Sequence, residues 1–280
     1  PYLPALNSMV QDIDKYPVRD LGIKEIPMYM IAGTKTVGRQ NSFASNFMPL
    51  MDLGTEFSYK WSTLYDSAIE DGIREPIKVY EFMNKFYVEE GNKRVSVSKF
   101  IGYVSIPGNV IRILPPKTDD PGSRIYYEYI DFYNVTELFS ITFSREGSYA
   151  KLADHFGQDL EKAWPDDLIE EIKSAFIVFS KCYVPVSGKN PITVGDAFLL
   201  YLMVFEIDSL LYDSENLIRH KIQKLRNEYS VRPGDDKIEL VRGPWEVGKG
   251  SGVKKLINLS NAYSGKPIRA AFLFERKEEE

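Results

Sequence analysis

Four consecutive residues, Gly91, Asn92, Lys93 and Arg94, stand where an aromatic, β-rich run ends and a helix is predicted to begin, within FYVEEGNKRVSVSKFIGYVSI (86–106). A glycine at such a junction lets other groups approach the backbone closely, while cations in a first helical turn oppose the helix dipole, which favours anions there. An anion from outside would relieve that conflict, so the chemistry these residues suggest is binding of phosphate or a similar oxyanion. The competing reading is a tight turn with solvated basic residues. Glu89 and Glu90 come just before the glycine. Glu90 is the candidate Mg²⁺ ligand beside a bound phosphate, although strand alternation turns one of the two acids away and solvated edge charges are the plainer reading.

Other segments carry weaker signals. Lys35 and Arg39 lie in GTKTVGRQN (33–41), a Gly/Thr loop whose plain reading is exposure to solvent. GPWEVGKGS (243–251) matches G-x-x-x-x-G-K, but Gly250 stands where a phosphate-binding loop needs Ser or Thr. The SREGS turn with Arg145 is also shaped for an anion, and ordinary capping is the preferred reading there. Tyr126, Tyr127, Tyr129, Phe132 and Tyr133 could stack bases, yet alternation turns some inward and favours a hydrophobic core.

These residues need elements to position them. Residues 2–16 place Leu3, Leu6, Val10 and Ile13 at helical spacing before Pro17, which predicts a lead helix. A strand follows over 23–33, bent or confined to an edge by Pro27. Phe43, Phe47 and Leu50 or Met51 suggest one face of a helix that Ser42 could cap. A further helix is predicted over 60–73. IKVYEF and KFYVEE then read as a hairpin turning at Met83 and Asn84, since Asn tolerates positive φ. A helix from about Asn92 to Gly102 and the strand VIRILPP come next. The prolines at 115 and 116 mark a loop and a domain edge. RIYYEYIDFYNVTELFSITF (124–143) predicts two strands, the residues from Ser148 to about Arg232 read as helical, and 233–280 is β-leaning and Gly-rich.

In that order, residues 25–114 resemble the ParB/sulfiredoxin-like domain. IPMYMI with the loop arginine Arg39, the phrase IREPIKVYEFMNKFYVEEGNKR and the closing IPGNVIRI carry the likeness, over about a third of the chain. The resemblance implies an α+β fold, a mixed sheet with helices, and a phosphate cradle in which the arginine holds phosphate oxygens. It implies nucleotide or phosphate binding by Lys35, Arg39, Gly91, Asn92, Lys93, Arg94 and Ser96. This chain also departs from the pattern. Asn92 stands where sulfiredoxins carry their reactive cysteine and where ParB proteins carry Glu, and Ser96 stands where ParB proteins carry a basic residue. Asn is no general base, which argues against hydrolysis. ENLIR (215–219) has the letters of a second family motif about a hundred residues too late. The terminal GKPIRAAFLFERKEEE is similar to the spacer before a solute-binding domain of the basic membrane protein family of ABC transporters.

Bulk properties narrow the function classes. The 280 residues suit about two domains, and a net charge of -5 speaks against a broad nucleic-acid surface. One cysteine, Cys182, excludes an internal disulfide framework and suits a reducing, cytoplasmic setting. His155 and His220 lack a second ligand at metal spacing. No apolar run reaches membrane-spanning length. The chain opens without Met and reads as a fragment. The expected organisation is a lead helix (1–24), the ParB/sulfiredoxin-like domain (25–116), aromatic strands with a mainly helical subdomain (117–232), and a β-leaning segment (233–280) linking to a downstream domain. The expected function is a nucleotide- or phosphate-binding regulatory module of a longer bacterial protein, taking CTP or ATP with Mg²⁺ as companion ion. The alternatives are a nucleotide-dependent kinase or nuclease in the same pocket, or a degenerate ParB-like domain preceding a solute-binding domain.

Overall fold

The computed structural model describes residues 2–50, 52, 54–184 and 193–231, with the strand pair Glu239–Leu240 and Ile257–Asn258. The chain divides into two units, Pro1–Asp119 and Asp120–Glu280. It is an α+β protein: the first unit is built on a mixed sheet, and the second is helical from Pro121 to Val231 apart from its connections and the residues outside the description.

The first unit holds β1 (Val18–Pro27), β2 (Ile31–Thr34), β3 (Ile77–Phe82), β4 (Lys85–Glu90) and β5 (Ser105–Ile113), in the order β1-β5-β3-β4-β2. β1 with β5 and β3 with β4 are antiparallel; β3 with β5 and β2 with β4 are parallel. The β3–β4 hairpin turns on Met83 and Asn84, at φ of 51° and 61°, the doubly left-handed conformation that matches strand twist. On one face Ile77, Val79 and Glu81 are buried, and Glu81 makes a fully buried ion pair with Arg112 of β5. Its other carboxylate oxygen accepts the Asn84 N–H at 2.9 Å, so the same carboxylate also ties down the turn. On the opposite face Tyr80, Phe82 and Tyr87 meet Leu6, Val10, Ile13 and Tyr16 from the N-terminal segment.

That segment is not the continuous lead helix its spacing predicts. Helix α1 spans only Leu6–Met9, and a 3₁₀ turn follows at Ile13–Lys15. Asp12 adopts positive φ between them, while Ala5 bridges to Thr34; apolar burial on the sheet outweighs helical periodicity. The strand predicted over 23–33 is two strands, parted at Pro27 by a 3₁₀ turn at Met28–Met30. The helix expected around Phe43 and Phe47 is instead a tight turn after the 3₁₀ segment Val37–Ser42: Phe43 bridges to Pro49, Phe47 has φ 66°, and both rings are buried. Proline cannot supply the N–H that a continued helix would need.

Helix α2 (Glu56–Asp71) begins a turn earlier than predicted, because the Thr55 side chain accepts the Ser58 N–H, and it ends at Gly72 with φ 74°. Helix α3 (Asn92–Ile101) runs between Gly91 and Gly102, both left-handed. Trp61 and Ala68 of α2 pack with Val97 of α3.

In the second unit the largest correction falls on residues 124–143. The two strands predicted there are mostly one helix, α4 (Pro121–Thr136), opened by the Asp120 side chain on the Ser123 N–H, with Pro121 in the first turn. Tyr126, Tyr129, Ile130 and Tyr133 are spaced by three and four and are buried together; helical burial overrides the strand preference of aromatic residues. The predicted helical run is α5 (Ser148–His155), α6 (Asp166–Cys182), α7 (Val194–Val204), α8 (Asp208–Tyr212) and α9 (Glu215–Val231). Within the β-leaning segment, Glu239–Leu240 (β6) pairs antiparallel with Ile257–Asn258 (β7). GPWEVGKGS and the terminal spacer-like stretch lie outside the described residues.

Candidate functional site

A cavity of about 320 Å³ opens where β4 gives way to α3, lined by Phe43, Phe57, Glu89, Glu90, Gly91, Asn92 and Lys93. Gly91 carries φ 104°, and a Cβ there would lie 2.4 Å from Cγ2 of Ile77. Both the conformation and the close approach require glycine. The Val95 N–H already reaches the Gly91 carbonyl at 3.0 Å, whereas the amides of the residues before it start the helix with no intrahelical acceptor. The first turn of α3 contains no acidic residue, and no side chain caps it. Its partial positive charge is therefore unmatched by any carboxylate of that turn.

The surrounding side chains are mixed in character. Asn92 is 7 % exposed, and its Oδ1 has no hydrogen-bond donor. The Lys93 ammonium lies 4.6 Å from the centre of the Phe57 ring, and Phe57 meets Phe43 edge-on at 5.4 Å. Glu89 pairs with Lys78 at 2.7 Å, and that contact raises the Lys78 pKa, chiefly through the hydrogen bond. Glu90 is exposed at the rim.

Of the residues singled out in the sequence, Glu89, Glu90, Gly91, Asn92 and Lys93 meet at this cavity. Lys35 does not line it. Its ammonium, 9 % exposed as a residue, binds Asp14 at 2.6 Å and sits 4.2 Å over the Tyr80 ring. Ser96 is fully buried, and its Oγ accepts the Trp61 indole N–H at 2.9 Å, which joins α2 to α3. Arg94 donates through Nη1 to the carbonyls of Glu75 and Pro76, 2.8 Å each, with the Glu75 carboxylate 3.1 Å away. Arg39 belongs to the 3₁₀ segment Val37–Ser42, and its side chain lies outside the described residues. The sequence reading missed Phe43 and Phe57 as walls. Phe57, Trp61 and Tyr65 recur every four residues, which was the available signal for Phe57.

The second anion-shaped turn is already filled. The Gly147 N–H, at the start of α5, donates to both carboxylate oxygens of Glu128, at 2.9 and 2.8 Å. Burial raises the Glu128 pKa, an effect the Gly147 hydrogen bond partly opposes. Arg219 of the ENLIR stretch serves the end of α6, donating to the carbonyls of Cys182 at 3.3 Å and Lys181 at 3.1 Å. Among the described residues, no group of three His, Cys, Asp or Glu side chains could hold a metal ion, and no helix is long and apolar enough to cross a membrane.

No family model matches the chain, and neither does any curated protein. Among solved structures it is similar to sulfiredoxin from Arabidopsis thaliana, at 24% identity over 31% of this chain and 82% of that one, with a TM-score of 0.22. A likeness of this size says nothing about function.

Proposed function

We propose that the first unit is a phosphate-binding module, with a nucleotide such as CTP or ATP as its ligand and a regulatory rather than catalytic role. The observation that carries the reading is the start of α3: a left-handed glycine and a first turn with neither an acid nor a side-chain cap, where Gly91, Asn92 and Lys93 line a cavity. Phosphate oxygens would sit on those amides, with Lys93 contributing charge. The organic part of the ligand would lie against Phe43 and Phe57. Mg²⁺ fits as a companion ion rather than as a resident one. It is commonly held by one or two carboxylates together with substrate phosphates, and Glu90 is the rim carboxylate placed for that. Asn92 offers no proton-transfer chemistry at neutral pH, which supports binding over turnover.

Isothermal titration with CTP, ATP, GTP and their diphosphates, with and without Mg²⁺, tests the reading. Binding in the micromolar range is expected, and Lys93→Ala should weaken it about tenfold, the effect of one charge-assisted hydrogen bond. Silence across the whole panel would sink it. Mg²⁺-dependent turnover lost in Glu90→Gln would instead favour the enzymatic alternative.

A further inference from the structure

We infer that Arg94 is a positioning residue: it holds the anion-binding turn in place through the backbone and does not itself carry the bound anion. The inference rests on the reading of α3 given above, and it reassigns the arginine within that site. Three contacts share one seam between the start of α3 and the chain entering β3. Gly91 presses on Ile77 so closely that a Cβ would meet its Cγ2 at 2.4 Å, and the same Cβ would lie 3.3 Å from Nε of Arg94. Nη1 of Arg94 spans the carbonyls of Glu75 and Pro76, the two residues before β3. Those carbonyls precede the first paired residue of the strand and need a donor from elsewhere.

The guanidinium therefore does two things at once. It satisfies the backbone leading into β3, and it fastens the first turn of α3 to that backbone. The cavity wall made by Gly91, Asn92 and Lys93 keeps its shape because the turn carrying it is tied down at Arg94, which does not line the cavity. Both carbonyls lie on one nitrogen, Nη1, whose two N–H bonds the guanidinium holds at fixed directions in its plane, whereas an ammonium is a flexible point charge.

The experiment is a titration of wild type, Arg94→Lys and Arg94→Gln with inorganic phosphate, pyrophosphate, tripolyphosphate and ATP at two salt concentrations. Both variants should lose affinity by the same factor, about tenfold for each ligand, because Lys keeps the charge but not the two-carbonyl clamp. The dependence on salt and on phosphate number should stay as in wild type. If Arg94→Lys retained wild-type affinity, or if the loss grew with phosphate number and the salt dependence became shallower, direct contact would be the role and the inference would fall. Unchanged affinity in both folded variants would overturn it equally, leaving a purely structural arginine.

A measurement on wild type guards against variants that do not fold. The side-chain nitrogen NMR signals of Arg94 should show slowed guanidinium rotation, unchanged when tripolyphosphate saturates the site. A large shift of those signals on saturation would contradict the inference. If wild type binds none of the four anions, the phosphate-binding reading fails on its own; the fastening is then judged by amide exchange at Asn92 and Lys93, which should accelerate in Arg94→Gln, and unchanged exchange would overturn it.

Discussion

Two helices of this protein, α3 and α5, start in the same way and end up electrically opposite. Each is preceded by a left-handed glycine, Gly91 or Gly147, and neither has an acid in its first turn. At α5 a half-buried acid from α4, Glu128, reaches the glycine amide with both oxygens. At α3 no acid stands in the first turn and no side chain caps it, Glu89 is paired with Lys78, and Gly91, Asn92 and Lys93 line a cavity. On the proposed reading, a helix start takes an outside anion only where the fold withholds its own.

The comparison can be broken at the glycines, where the largest effects are expected. Gly91→Ala combines a left-handed conformation with a clash against Ile77; strain alone costs on the order of 1–3 kcal/mol, and the clash adds to it. Gly147→Ala meets nothing within 4 Å and should cost only the conformational penalty, about 1–2 kcal/mol. Denaturant unfolding followed by circular dichroism measures both, and equal costs would remove the distinction between the two turns.

A smaller effect on stability but a sharp one on binding is expected from Asn92→Asp, which gives α3 the carboxylate it lacks. An acid in the first turn favours the helix dipole by about 0.3–1 kcal/mol, a gain that desolvation at this 7 % exposed position opposes. The same charge should repel phosphate and weaken nucleotide binding more than tenfold in calorimetry. A variant that is more stable and still binds would separate the amides from the site.

The smallest effect concerns pH. Burial raises the Glu128 pKa above its ordinary value near 4.5, so the folded state holds this proton more tightly than the unfolded chain does. This residue's contribution is therefore most favourable below the unfolded value and declines as pH rises through the raised, folded one. Glu128→Gln removes that dependence. Relative to wild type, the variant should gain stability as pH rises above about 4.5 and show a constant difference below it. An opposite slope in melting temperature would mean that the Gly147 hydrogen bond outweighs burial.

Turn chemistry made much of the first unit legible. Asn84 after Met83, Gly72, Gly91 and Gly102 mark boundaries because few conformations are open to the chain there, and those marks need only neighbouring residues. Periodicity was less dependable. Residues 124–136 alternate well enough to read as strand, yet their aromatic side chains also recur at three and four, and only α5 and its neighbours supply the surface that selects the helix. The lead helix failed for the converse reason, since Leu6 and Ile13 are drawn onto Tyr87 and Ile113, seventy and more positions away.

The candidate site divides along the same line. The sequence by itself determined that a glycine would lead into a helix beginning with Lys93 and Arg94, because backbone freedom and capping are local properties. Tertiary structure alone decided where the charges went. Lys35 is paired with Asp14 over Tyr80, Ser96 is spent on Trp61, and Arg94 is clamped to the chain entering β3. A long cation can reach several partners from one backbone position, and which partner it finds depends on the burial and carbonyl geometry that distant segments bring beside it.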